Sequence, residues 1–219
     1  MRRLQSDAIV NLPCDVGLVK IVREYMNYSF RRYKSIWGLI AINTLVFILT
    51  TIRPEIANSL AVTKPILNSN YWAIFTAIFV HANLLHIVSN VLALYFFGTF
   101  CLQLIDDKWF WLVYFVGGIF GNILFLLIGP AYSAAVGASG AIFAIGGLIA
   151  MMRPNQKVYL YFFIPMPLWV GIALGFGLTV IIPGVAWQAH LGGLIVGLIA
   201  GFFFRQRERR RLPPVYYRF

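Results

Sequence analysis

Charged residues are scarce in this chain. Only 11% of its 219 residues are charged and 60% are hydrophobic, whereas a soluble domain is about 25% charged and less than half apolar. The shortage excludes an ordinary soluble domain and predicts a polytopic membrane protein. The first hydrophobic segment begins near Ile36, after a long polar lead, which is not the layout of a cleavable signal peptide.

Cysteine and metal-binding motifs are also lacking. Of the two cysteines, Cys14 lies in the polar lead and Cys101 in an apolar segment, so no disulfide framework is expected. The H-E-x-x-H motif of a membrane metalloprotease does not occur, and neither does a glycine-rich phosphate-binding loop. Three histidines could in principle gather around zinc. Without that motif, however, we expect neither a metal nor a cofactor.

Acidic residues are few, seven against eighteen Lys and Arg, which gives a formal net charge of +11. The basic residues cluster beside the ends of the apolar segments, before residue 36 and again over residues 205–211. This is the positive-inside pattern of membrane proteins, and contact with anionic lipid headgroups is the expected use of the charge. A nucleic-acid partner is not expected, because no binding fold remains once the apolar segments are removed.

Hydropathy predicts an all-α fold, a bundle of six transmembrane helices. The predicted spans are residues 36–52, 84–105, 109–128, 139–152, 158–182 and 187–204. About 20 residues cross a bilayer, and the fourth span is much shorter and begins at Ser139. Its start should therefore lie below the outer surface, beside a wet cavity lined by protein.

The basic residues also predict the orientation in the cell membrane. Both termini and the connection 153–157 should be cytoplasmic. The expected organisation is a basic cytoplasmic segment 1–35, a six-helix domain 36–204 and a basic cytoplasmic tail 205–219. The long first connection, between Arg53 and Val80, is too polar to span and too apolar to be fully solvated. We expect it to lie partly in the outer leaflet.

Two polar residues lie where hydrocarbon offers them no water. Gly137-Ala138-Ser139-Gly140 begins the fourth span, and His190 lies near the start of the last. Polar groups inside a bundle usually pair and mark function, and a hydroxyl facing an imidazole is an activated nucleophile. Taken alone, Ser139 is better explained as a helix N-cap, and His190 could form an interhelical hydrogen bond that only adds stability. The agreement of the motifs favours the catalytic interpretation of both.

A third motif lies at the start of the second span, where His86 and Asn90 are four residues apart and share one helix face. These two side chains could donate hydrogen bonds to a reacting oxygen. His81 would lie about 140° away on an ideal helix. We expect it to lie in the preceding loop with a structural role.

No acidic residue lies inside a predicted span, so a Ser–His dyad is expected rather than a triad. Small residues recur at intervals of four in the last span, and the fourth span carries small residues as well. They are Ala189, Gly193, Gly197 and Gly201, with Gly140, Ala144 and Gly147 opposite them. This small-xxx-small pattern predicts close helix packing, which would bring Ser139 and His190 together.

Three motifs occur in order along the chain: the H-x4-H-x3-N run, the GASG tetrapeptide and the sequence Ala189-His190-Leu191-Gly192-Gly193. Through them, the chain resembles the rhomboid intramembrane serine proteases over residues 36–204. The resemblance implies cleavage of transmembrane segments of membrane-protein substrates. It implies Ser139 as nucleophile and His190 as general base and acid. His86, Asn90 and the Ser139 amide would form the oxyanion hole.

The resemblance also suggests details around this site. An aromatic residue of the second span orients the imidazole in rhomboids, and Tyr95 is the candidate here. Trp72 matches a tryptophan common in the first loop, but Ala73 stands where the family often has arginine. Pro165 and Pro167 in the fifth span suggest a kinked helix that could flex to admit substrate.

Two other classes of function remain open from the residues. One is a non-proteolytic rhomboid-like protein that captures or escorts membrane clients, for which loss of the serine or the histidine would be diagnostic. The other is a small transporter with a discontinuous helix at Ser139. A transporter would usually carry intramembrane charge or an internal repeat, and neither is found in the sequence.

Overall fold

The computed structural model describes residues 32–64, 70–160 and 164–211. Helices dominate this part of the chain. In chain order, the elements are α1 (Lys34–Ile52), α2 (Pro54–Leu60), β1 (Val62–Thr63), α3 (Ala73–Thr76) with a 3-10 turn (Ala77–Phe79), α4 (Leu84–Leu104), α5 (Asp107–Ile128), β2 (Ala134–Ala135), α6 (Ser139–Met152), β3 (Lys157–Leu160), β4 (Ile164–Pro167), α7 (Leu168–Ile181) and α8 (Trp187–Arg211). Cys14 and most of the predicted segment 1–35 lie outside the described residues.

Within the described residues, four helices are long and apolar enough to cross a membrane. They are α1, α4, α5 and α8, and they contain between 19 and 25 residues. The other two apolar helices, α6 and α7, have 14 residues each. The predicted bounds of the short fourth segment, 139–152, agree with α6. The chain is therefore a predominantly helical protein whose described part contains four candidate membrane-spanning helices.

The prediction for residues 158–182 is wrong in its first part. Residues Lys157–Leu160 and Ile164–Pro167 form an antiparallel hairpin, and α7 begins only at Leu168. Proline lacks the N–H that a helix interior needs and disfavours helical geometry in the residue before it. The helix therefore does not extend back through Pro165 and Pro167, and Pro167 is its N-cap residue. The two prolines lie in a strand, so they do not kink a helix.

The last helix continues beyond its predicted end at residue 204. It runs through the basic segment to Arg211, since Arg, Gln and Glu are good helix formers. Arg153, directly after α6, forms a two-pronged ion pair with Glu208 on this extension, with N–O distances of 2.7 and 2.6 Å. The contact joins the ends of α6 and α8. Residues 212–219 of the predicted tail lie outside the described residues.

Helix α6 is the centre of the bundle. It packs against α4, α5, α7 and α8, and eleven of its fourteen residues are buried. Its small residues explain how so many neighbours can approach it. By contrast, only Leu168 and Ile172 are buried among the residues of α7, so α7 is the most lightly packed of these neighbours.

The predicted small-residue contact between α6 and α8 is confirmed. A Cβ atom added to Gly193 would overlap the carbonyl oxygen of Gly140, and one added to Gly197 would overlap that of Ala144. One turn later Gly201 lies against Leu148 in the same way. Backbone lies against backbone along the contact, which fixes how far apart the first turns of α6 and α8 can lie.

The first connection is bound to the rest of the fold by strand pairing and hydrogen bonds. Strand β1 pairs with β2, with Val62 opposite Ala135. Lys64 Nζ donates to the carbonyl oxygen of Gly129 at 2.7 Å, and Asn122 Nδ2 donates to that of Ile74 at 2.8 Å. Ala73 is buried in this region. The loop is thus anchored to α5 without an arginine at position 73.

Candidate active site

Ser139 and His190 lie in direct contact. Ser139 is the first residue of α6, His190 lies in the first turn of α8, and 2.6 Å separates Ser139 Oγ from His190 Nε2. The residue at the N-cap position is Ala138, and no side chain caps this helix. The N-cap explanation therefore does not account for Ser139, because its hydroxyl is directed to the imidazole instead of the helix backbone.

The imidazole of His190 is held by an aromatic ring. His190 is 7% exposed, and its ring stacks on Phe143 with centroids 4.9 Å apart and planes 28° apart. The prediction of Tyr95 for this role is wrong, since Tyr95 packs against Trp37 and Phe96. Phe143 lies four residues after Ser139, on the same face of α6. This four-residue spacing was the sequence feature that could have identified Phe143 as the ring beside His190, and the prediction did not use it.

The second ring nitrogen of His190 is left without a partner. Nδ1 is buried and makes no hydrogen bond to any described residue. The acidic side chains with described partners lie elsewhere: Glu55 pairs with Arg53, Asp107 with Ser35, and Glu208 with Arg153. Over residues 32–64, 70–160 and 164–211, the geometry is therefore that of a two-residue pair.

His86 and Asn90 lie beside this pair, at the start of α4. The side chain of Asn83 caps the helix by accepting from the backbone N–H of His86 at 2.9 Å. The backbone N–H of Ala82 donates to His86 Nδ1 at 3.4 Å, which leaves the proton on Nε2. Asn90 Nδ2 donates to the His86 carbonyl oxygen at 2.8 Å and retains a second amide hydrogen.

His81 takes no part in this group. It lies in the loop before α4, as the spacing predicts, and its Nδ1 donates to the carbonyl oxygen of Phe79 at 3.1 Å. Its ring meets that of His86 edge-on. Burial lowers the pKa of His81 to about 4, and the neighbouring His86 adds to the shift. His81 is thus a neutral packing partner of His86.

A cavity of about 320 Å³ joins these residues. It lies between α4, α6, α7 and α8, with His86, Asn90, Ser139 and His190 on its wall. The rest of the lining is mostly apolar, as at Phe97 and Ile172, with Ser89 and Thr179 as further polar members. The size and lining suit a largely apolar group of a ligand that also presents one polar bond to Ser139.

Gly137 shapes the wall between Ser139 and His86. Its φ is +119°, a region that L residues with side chains rarely adopt. A Cβ atom at this position would lie 2.7 Å from His86 Nε2. Glycine is therefore required here both for the turn that begins α6 and for the close approach of the His86 ring.

The chemistry available to this group is that of an activated serine. A hydroxyl within hydrogen-bond reach of a neutral imidazole can lose its proton as it attacks a carbonyl carbon. Within the described part of the chain, no three His, Cys, Asp or Glu side chains are grouped so that they could hold a metal ion. The arrangement thus suits acyl transfer at an ester or peptide bond.

Several known proteins are similar to this chain over part of their length. RHOMBOID-like protein 12, mitochondrial, of Arabidopsis thaliana is 36% identical over 150 residues, 58% of this chain and 44% of that protein. Rhomboid protease GluP of Bacillus subtilis is 34% identical over 137 residues, 62% of this chain and 26% of that protein. Inactive rhomboid-related protein 2 of Caenorhabditis elegans is 30% identical over 166 residues, 69% of this chain and 47% of that protein.

The chain spans less than half the length of each of these three relatives. The model of the rhomboid domain matches residues 68–207, which contain α4 to α7, most of α8 and every residue of the candidate site. Since this match takes in more than half of the sequence, the chain belongs to the rhomboid family.

Proposed function

We propose that this protein is an intramembrane serine endopeptidase that cleaves transmembrane segments of membrane-protein substrates by a Ser139–His190 dyad. The observation that carries the proposal is the 2.6 Å contact between Ser139 Oγ and His190 Nε2 at the wall of a cavity between helices. A serine at the first turn of a helix also lies at the positive end of the helix dipole, which favours developing negative charge.

In the proposed reaction Ser139 Oγ attacks the carbonyl carbon of the scissile peptide bond while His190 Nε2 accepts the hydroxyl proton. The carbonyl oxygen becomes an oxyanion, which the His86 Nε2–H, the free amide hydrogen of Asn90 and the Ser139 backbone N–H stabilise. His190 returns the proton to the leaving amine. Water then attacks the acyl-enzyme, with His190 again accepting a proton, and the serine is regenerated.

The proposed arrangement in the cell membrane has six spans, with α6 and α7 as the short ones and both termini cytoplasmic. The first loop lies partly in the outer leaflet. Exposed aromatic side chains of this loop, Tyr71, Trp72 and Phe75, support that position, since such side chains favour the membrane interface. The catalytic domain is residues 36–204, and the basic segments on either side of it contact anionic lipid headgroups.

Substrate is proposed to enter between α4 and α7. Both helices line the cavity, and α7 packs mainly on α6, α8 and the preceding hairpin. A substrate helix arriving from the lipid would meet the cavity wall at this side. The route does not depend on a proline kink, because α7 begins after Pro167.

A non-proteolytic role, capture of membrane clients, is the alternative. The name of the Caenorhabditis elegans relative, an inactive rhomboid-related protein, shows that family membership alone does not establish cleavage. The present chain has both the serine and the histidine, and the two are in contact. This favours the protease over the client-binding protein.

Cleavage is tested by incubating the purified protein in detergent with a panel of single-span substrates, alongside Ser139→Ala protein prepared in the same way. We expect at least one substrate to yield two fragments whose masses locate a single cut near the outer end of its transmembrane segment. The matched variant should yield none. Stable binding of substrates without fragments, at every enzyme concentration, would favour client capture instead.

The oxyanion hole makes a separate kinetic prediction. Asn90→Ala and His86→Ala should each lower kcat by about tenfold to a thousandfold with little change in KM, because these hydrogen bonds strengthen only as the carbonyl oxygen gains charge. Initial rates over a range of substrate concentrations measure both constants. Gln103→Ala, an exposed change on the same helix, is the control. A raised KM with unchanged kcat would show uniform substrate binding and refute the role.

A further inference from the structure

A second cavity adjoins the one that holds the dyad. It has a volume of about 260 Å³ and lies between the loop 130–134 and the segment 180–188, where α8 begins. Val185 lines both cavities. An extended chain rises about 3.3 Å per residue. If a peptide binds with its scissile bond at Ser139, a residue only a few positions from that bond would therefore reach the second cavity with its side chain.

Gln188 and Ser133 line this cavity without side-chain partners. Gln188 is only 6% exposed, and its carboxamide makes no hydrogen bond to another residue in the described ranges; the Ser133 hydroxyl makes none either. Their polar atoms are open to the cavity instead of being sealed from solvent, and such groups hydrogen-bond to water when no ligand is present. Both side chains line one space, so a ligand bound there can replace the water that satisfies them.

The lining determines the chemistry of that ligand. None of the described residues that line the second cavity is charged, so a charged group would lose its hydration there without gaining a counterion from them. A carboxamide offers one acceptor oxygen and two donor hydrogens, and another carboxamide is complementary to it. The cavity therefore favours the side chain of asparagine or glutamine over that of aspartate, lysine or leucine.

Gln188 faces away from His190 on α8. It lies two residues before His190, about 200° around the helix, so the two side chains face different cavities. Gln188 is thus placed to contact a substrate side chain near the scissile bond and not the bond itself. On this geometry, and resting on the proposed protease function, we propose that Gln188 determines specificity by binding an asparagine or glutamine side chain of the substrate that flanks the cleavage site.

The test uses a substrate cleaved by the full-length protein, with Asn and Leu versions made at each position flanking the cut. At one position the Asn version should be cleaved with a kcat/KM about tenfold above the Leu version, the size expected for a buried hydrogen bond. Gln188→Leu should remove this ratio, and the exposed change Gln103→Leu should keep it. If Gln188→Leu fails to fold, Gln188→Met carries the same test.

A binding measurement separates this proposal from the protease proposal. Ser139→Ala protein, with and without Gln188→Leu, is titrated with fluorescent Asn and Leu versions of the substrate segment. Tighter binding of the Asn version that depends on Gln188 supports the subsite even if no substrate is ever cleaved. Cleavage without an Asn preference at any position, or a preference that survives Gln188→Leu, overturns the subsite and leaves the protease function intact.

Discussion

Ser139→Ala should abolish cleavage while leaving the protein folded. The loss in kcat is expected to be on the order of 10⁴-fold or more, the range seen when a serine nucleophile or its base is removed. The fold should tolerate the change, because the hydroxyl does not cap α6 and its described hydrogen bond goes to His190. Initial rates measure the first effect, and thermal unfolding in detergent measures the second.

A fluorophosphonate probe gives an independent check on the nucleophile. It should label the wild-type protein and the control Ser59→Ala, whose hydroxyl donates within α2 to Ile56 at 2.9 Å, but not Ser139→Ala. Labelling that persists in Ser139→Ala, or cleavage near the wild-type rate, would assign the reaction to another residue. Loss of labelling together with loss of the folded protein would show a structural effect of Ser139→Ala. The variant Ser139→Cys would then be used in its place.

Gly197→Ala should destabilise the protein and inactivate it, although the change adds one methyl group far from the dyad. The added Cβ would overlap the carbonyl oxygen of Ala144, and the overlapped atoms belong to backbone that cannot rotate away. Overpacking of this kind costs about 1–3 kcal/mol. Because α6 and α8 must separate to relieve it, Ser139 and His190 should lose their contact.

Gly177→Ala is the matched control for this prediction. A Cβ atom at Gly177 meets nothing within 4 Å, and alanine is a better helix former than glycine by about 1 kcal/mol. The two variants should therefore shift the melting temperature in opposite directions, and only Gly197→Ala should lose activity. Equal shifts for both variants would mean that the contact between α6 and α8 is not as tight as the geometry requires.

The helices were predictable where hydropathy and helix signals coincide. The run 139–152 is uniformly apolar, follows a glycine-rich tetrapeptide and ends before Arg153, so both of its ends agree with the sequence. Residues 157–167 were not predictable in the same way. Their apolar content suits a buried helix as well as a strand, and hydropathy alone does not separate the two. The prolines decided the outcome, and they act through backbone geometry.

At the candidate site, motifs identified the polar residues and missed their surroundings. Ser139, His190, His86 and Asn90 carry chemistry, so their residue types alone attract attention. Phe143 resembles any other core aromatic, and only its spacing from Ser139 distinguishes it. The pairing of Val62 with Ala135 was beyond prediction as well, because strands of two residues leave no periodic pattern in a sequence.

The unequal packing of α6 and α7 has a mechanical consequence. Ser139 and His190 lie on α6 and α8, whose backbones are in direct contact. By contrast, α7 buries few residues, and it is joined by the β3–β4 hairpin before it and by a turn containing Gly184, with φ +78°, after it. Displacing α7 would open the cavity without stretching the distance between hydroxyl and imidazole. In the proposed protease, the entrance could therefore widen while Ser139 and His190 stay in contact, because opening the cavity changes the contacts of α7 and leaves those between α6 and α8 intact.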